Sequence, residues 1–154
     1  NSTKPIADAK AYLDEKGISY TEQTANTNDE VITAASSLVA DKVDAVFTPT
    51  DNVIMAAELA IFKDLADAGI PHYAGADSFV RNGAFATCGV NYTELGTYTA
   101  DMALDILETG VVPAYHVMDG GIITVNTETA AALGIDYSAF NDLAGQVVEV
   151  TTAE

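Results

Sequence analysis

The order of helical and extended signals along these 154 residues predicts an α/β fold, a three-layer αβα sandwich around a mostly parallel sheet. Three observations carry that expectation. Residues 43–47 (VDAVF) and 70–74 (IPHYA) are short runs rich in Val, Ile, Phe and Tyr, and between them VIMAAELAIFKDLADAG has the length and apolar spacing of an amphipathic helix. A unit of that kind crosses over right-handed, which makes its two strands parallel neighbours. The same alternation of helix and strand continues on both sides. Finally, 49% of the residues are hydrophobic, enough for a real core, yet no apolar run approaches the roughly eighteen residues of a membrane span.

Charge narrows the function classes. Six basic residues against twenty-three acidic ones give a formal charge of -17, which repels phosphate backbones and argues against nucleic-acid binding. The single Cys88 rules out an intrachain disulfide. Neither it nor His72 and His116 are spaced like a metal site, and no cofactor is implied. No charged-then-apolar leader opens the chain, so an export signal, if the protein has one, lies upstream of Asn1.

Taken in order, Ser2 or Thr3 with Pro5 starts a helix over 4–16, with Ile6, Ala9, Tyr12 and Leu13 on one face and Gly17 as its stop. Residues 17–24 (GISYTEQT) alternate as a partly buried strand would. Thr27 and Glu30 form a capping box for a helix carrying Val31, Ile32, Ala35, Leu38 and Val39 and ending near Asp41. After the central unit, Asn82 and Gly83 signal a turn and FATCGV a strand in which Cys88 is a small buried hydrophobe. A helix capped by Thr93 then runs from Glu94 to Glu108, burying Leu95, Tyr98, Met102, Ile106 and Leu107 and stopping at Gly110. An extended stretch follows from Tyr115 to Val125, with Gly120 and Gly121 marking a bulge. The last expected elements are a helix over Thr127–Leu133, a helical turn around Phe140 and a frayed TTAE tail. His72 and His116 read as ordinary strand residues.

The chemistry-bearing residues fall at strand ends. Thr50, Asp51 and Asn52 follow one strand of the central unit and Asp77 follows the other, at the edge where open parallel sheets bind ligands. Asp51 is equally suited to capping the helix behind it. Asp77, in a Gly-Ala-Asp tip with no evident helix after it, has less need to cap and is the better candidate for ligand contact. Asn91-Tyr92-Thr93 matches the short glycosylation pattern, which often occurs by chance. The chain contains no G-x-G-x-x-G, no phosphate-binding G-x-x-x-x-G-K-[ST] and no G-x-S-x-G nucleophile elbow, so its residues point to no enzyme.

The succession VDAVFTPTDNVI, IPHYAGAD and NGAFATCGVNYTELG, followed by a helix ending ILETG, resembles the second half of ABC-transporter substrate-binding proteins. The resemblance is to the type I periplasmic-binding-protein fold, in the group that transports tryptophan and tyrosine. It spans nearly the whole chain, departing from it at Ala76, where many relatives are acidic, and in having neither a first lobe nor the opening strand of the second. It implies that residues 1–90 are most of a second lobe. Residues 91–154 would hold a crossover, a first-lobe helix, a return strand and a C-terminal helix. It further implies a non-enzymatic, extracytoplasmic or lipid-anchored bacterial protein that closes on an amino acid, aromatic in character, and delivers it to a membrane permease. Asp77 would take the ligand's ammonium, Thr50 and Asn52 its polar groups, and Asn91, at the crossing, either the ligand or the hinge. A chain that opens on a helix where the fold needs a central strand also leaves a slot through which a homodimer of the fragment could form. The competing expectations are the effector-binding domain of a transcription regulator, or an enzyme or sensor on a flavodoxin-like sheet.

Overall fold

A computed structural model of the chain describes residues 2–118 and 120–153. Twelve elements follow one another: α1 (Thr3–Lys16), α2 (Asn28–Asp41), β1 (Val46–Thr48), α3 (Asn52–Asp67), β2 (His72–Ala74), α4 (Asp77–Arg81), β3 (Ala86–Gly89), α5 (Tyr92–Thr109), β4 (Ile122–Asn126), α6 (Thr127–Leu133), α7 (Phe140–Leu143) and β5 (Gln146–Val150). The five strands lie in one sheet in chain order. β1, β2 and β3 are mutually parallel, β4 runs against β3, and β5 is parallel to β4. The expected α/β class and mostly parallel sheet are therefore present.

The pleat sorts side chains onto two faces. Val46 is in register with His72 and faces α3; there Val31, Ala35, Ala57, Ile61, Leu65 and Ile70 make a core shared by α2, α3 and the sheet. On the opposite face, Phe85, Ala86, Ile123, Val125 and Ala130 collect Leu133, Tyr137, Phe140 and Val147, so helical layers cover both sides of β3–β5. The cover stops short of β1 and β2: Phe47 and Tyr73, one register pair on that second face, are 51% and 36% exposed. β1 is also an edge strand with a free outer side.

Several sequence-based boundaries shift, each for a definable reason. Residues 18–24 form no strand, and Ile18 and Tyr20 are exposed. An alternating pattern makes a strand only where backbone partners exist, and β1's outer edge pairs with none of the described residues. The segment instead turns back along α1, with Lys10 Nζ 2.8 Å from Glu22 Oε2. α1 accordingly buries none of its residues. The long extended stretch from Tyr115 reduces to β4, with Gly121 at φ 114 before it and Asp119 outside the described residues. β5, Gln146–Val150, is a strand for which no element is expected between the turn at Phe140 and the TTAE tail. That tail is not frayed as far as it is described: Ala153 N–H donates to Arg81 O at 2.8 Å, and Thr152 N–H donates to Glu128 at 3.0 Å. Cys88 is exposed although the pleat puts it on the face of buried Ala86 and of its register partner Ile123, because a shared face is buried only as far as another layer covers it.

α4, the start of α6 and the segment after β5 are tied together at Asn126, which is fully buried. Its amide donates to Val80 O and to Thr152 Oγ1, both at 2.9 Å, while its Oδ1 accepts from the Glu128 and Thr129 N–H groups at the start of α6. Asn126→Ala removes the α6 cap together with the buried bonds to Val80 O and Thr152 Oγ1, and is expected to lower stability by about 2–4 kcal/mol in urea denaturation. A loss below about 1 kcal/mol would show that this junction is dispensable.

Candidate functional site

Because β1, β2 and β3 are parallel, their C-terminal ends share one edge, and each end opens a helix. Thr50 and Asp51 lie between β1 and α3, Asn52 begins α3, Asp77 begins α4 after β2, and Asn91 lies between β3 and α5. The structure thus brings all five sequence-selected residues to a single ledge. Helix N-termini there present N–H groups and the positive end of the dipole, which suits a carboxylate.

The side chains are not equally available. Asp51 is the N-cap of α3: its Oδ1 accepts from Val53 N at 2.9 Å and Ile54 N at 3.4 Å, and its Oδ2 accepts from Ser2 Oγ at 3.3 Å. Of the two readings open for Asp51, the capping role is the one its geometry displays. Asn91, not Thr93, caps α5, with Oδ1 accepting from Thr93 N at 3.0 Å and Glu94 N at 3.1 Å. An Asn in extended conformation immediately before the first helical residue makes the better cap, because its carbonyl reaches the N–H groups of the second and third helical residues at once. Asp77 corrects a second expectation. It does head a helix, the five-residue α4, but the cap position is Ala76, so no backbone N–H claims the Asp77 carboxylate. Its partner is Arg81 one turn on, 3.4 Å away in an exposed pair of the kind that contributes little.

The β1 and β2 tips touch. Gly75 fits against Thr50 so closely that a Cβ there would lie 2.5 Å from Thr50 N and Oγ1. The two surface hollows lie elsewhere. One, of about 420 Å³, is at the opposite edge where α2 and α3 end; the other, of about 400 Å³, lies along α5, where Tyr98 stacks on His116 at 4.4 Å. The ledge itself is open. No group of three or more His, Cys, Asp or Glu capable of holding a metal occurs among the described residues.

Below the ledge is a cluster that sequence reading passed over. His72, read as an ordinary strand residue, is 2% exposed and Glu58 is 0% exposed. His72 Nδ1 lies 2.9 Å from Glu58 Oε1 and its Nε2 lies 2.8 Å from Thr48 Oγ1, while Glu58 Oε2 has no hydrogen-bond partner. The signal was available: Glu58 falls with Ile54, Ile61 and Leu65 on the apolar stripe of α3, where a carboxylate is out of place. Beside His72, partial burial raises the Tyr73 phenol above its ordinary value, so it stays a neutral donor.

Gly75→Ala is expected to displace the Thr50 tip, because a methyl group meets backbone there, and to destabilise by about 1–3 kcal/mol. Thermal unfolding checks this, and an unchanged midpoint would mean that the two tips separate freely.

The chain is similar in sequence and fold to known proteins. The family of ABC transporter substrate-binding proteins matches residues 1–148. A tyrosine-binding protein of Clostridioides difficile (strain R20291) is 32% identical over 136 residues, covering 86% of this chain and 39% of the relative. The ligand-free, open structure of a substrate-binding protein with adhesive properties from Clostridium difficile superposes with TM-score 0.76 at 31% identity, over 99% of this chain and 51% of that one. A Streptococcus pneumonia ABC domain in complex with L-Trp superposes with TM-score 0.80 at 25% identity, over 96% and 51%. The chain therefore spans about half the length of these solved structures. With the sheet, the ledge and the family match in agreement, the chain belongs to the ABC transporter substrate-binding protein family.

Proposed function

We propose that this chain supplies one jaw of a binding protein that captures an aromatic amino acid outside the cytoplasm and delivers it to a membrane permease, without catalysis. The observation that carries the reading is the ledge, where the Asp77 carboxylate, claimed by no backbone N–H and paired only with exposed Arg81, stands beside the N-termini of α3 and α5. A free amino acid carries both charges such a ledge would pair: its ammonium goes to Asp77, its carboxylate to helix N–H groups and the hydroxyl and amide of Thr50 and Asn52. Asn91 stands where the chain leaves the sheet for α5 and serves the hinge. The tyrosine-binding relative and the tryptophan-bound structure support an aromatic ligand.

Residues 1–90 make up most of one lobe in this reading, and α5 belongs to the other. The support is that α5 buries none of its own residues: Leu107, expected in its core face, is 82% exposed, and Leu104, Val111, Val112 and Tyr115 are exposed with it. No helix among the described residues is long and apolar enough to cross a membrane. The export signal or lipid anchor that the reading requires would lie outside these residues.

Titration calorimetry of the full-length protein with tryptophan, tyrosine and phenylalanine tests the reading, and absence of binding to all three would overturn it. Asp77→Asn keeps the shape and removes the charge, and is expected to weaken binding by about 2–5 kcal/mol. Asp51→Ala is expected instead to lower stability by about 0.5–2 kcal/mol through the lost cap. The reverse pattern would exchange the two roles. For the 154-residue chain in isolation, the free edge of β1 supports pairing with a second copy. Sedimentation at micromolar concentration is expected to show a dimer, and a compact monomer that unfolds cooperatively would count against it.

A further inference from the structure

We propose that Glu58 and His72, acting through Thr48, are positioning residues for the ligand ledge: a buried polar brace that sets where the β1 tip stands. The proposal rests on the amino-acid-binding reading and extends it to residues that touch no ligand.

The cluster joins three elements. Glu58 lies in the second turn of α3, His72 is the first residue of β2 and Thr48 is the last residue of β1. The main-chain ladder pairs Val46 with His72 and Thr48 with Ala74, so the Thr48 hydroxyl reaches back to an imidazole two residues off its own register. That diagonal bond fixes the final residue of β1 against both β2 and α3. Two residues later the chain is at Thr50, then at Asp51, whose carboxylate caps the same helix α3 that carries Glu58. The tip is thus held by α3 from both directions: by the cap above, and by the Glu58 to His72 to Thr48 chain below.

Stability does not account for such a cluster. A carboxylate and an imidazole out of contact with water bear the loss of hydration, and Glu58 Oε2 recovers nothing among the described residues. The surroundings are apolar, with Ala57, Ile61 and Leu65 alongside Glu58 on α3 and Val46 facing His72, so a hydrophobic pair of similar volume would fill the space without desolvating charge. Directionality is what it adds. Apolar contacts tolerate sliding, whereas a hydrogen-bonded chain through a ring with two fixed nitrogens specifies distance and angle. The place where β1 needs such definition is its tip, since Gly75 and Thr50 already pack at van der Waals limit and leave no slack.

The test separates position from stability. In the full-length protein, Glu58→Met combined with His72→Leu is expected to keep or raise the unfolding midpoint while weakening tryptophan or tyrosine binding about tenfold, a change equivalent to about 1.4 kcal/mol. Glu58→Gln, whose amide oxygen still accepts from the imidazole, restores most of what Glu58→Met loses. Thr48→Val, which keeps a strand-forming shape and removes only the hydroxyl, covers the case in which the double variant fails to fold. It is expected to raise amide hydrogen exchange at Thr50, Asp51 and Asn52 about tenfold while leaving the middle of α3 unchanged, since local opening is governed by local contacts. That exchange measurement needs no ligand. A parent protein that bound none of the three amino acids would overturn the functional reading, while exchange at the tip would still decide the brace. Unchanged exchange in Thr48→Val, or ligand held as tightly by the double variant as by the parent, would overturn it.

Discussion

Everything that can serve as a site in this chain depends on the parallel pairing of β1, β2 and β3 beneath α3. Parallel strands joined by crossovers all end on the same side of the sheet, so the three loops that follow them are neighbours without being adjacent in sequence. Thr50 and Asp77 are twenty-seven positions apart by their numbers, yet their tips meet because Gly75 lets the β2 tip close on Thr50. Had either strand run the other way, the same carboxylates would lie at opposite ends of the domain.

The ledge also shows how one residue type takes different roles from its backbone setting. Asp51 and Asp77 both stand at a strand-to-helix junction. Asp51 occupies the cap position in extended conformation and spends its carboxylate on α3, whereas Asp77 sits one position further in, behind Ala76, where its side chain projects away from the backbone donors. A shift of one residue thus separates an acid whose carboxylate caps a helix from one paired only with an exposed Arg81. Asn91 repeats the Asp51 arrangement at α5, which explains why a helix with no buried residue still has a defined start.

Away from the ledge, the structure has apolar surface that its own elements do not cover. α1 and α5 bury no residue, Phe47 and Tyr73 face outward, and the outer edge of β1 is unpaired. These features lie on two sides of the sheet, one beside β1 and one along α5. Both are consistent with a chain that spans about half of the solved relatives it matches, whose remaining half is a source of covering surface.

What the sequence determined by itself was local or periodic. The apolar spacing of α2, α3 and α6, the Thr27 cap, the left-handed glycine stops at Gly17, Gly110 and Gly134, and the polar residues at the ends of β1 and β2 are all written within a few positions of where they act. So is the succession of motifs that resembles its family. The tertiary structure alone decided matters that depend on a partner distant in sequence. Residues 18–24 have the pattern of a strand but no neighbour to pair with. Residues 146–150, a five-residue run with no strand expected of it, form β5 because β4 offers them a parallel edge. Cys88 and Leu107 read as core, but how far another layer covers a given face of a strand or helix is set by the packing and not by the residue. The Glu58–His72 pair belongs to this second class. Its two residues lie fourteen positions apart on different elements, and only the crossing of α3 over β2 brings a buried carboxylate to a buried imidazole.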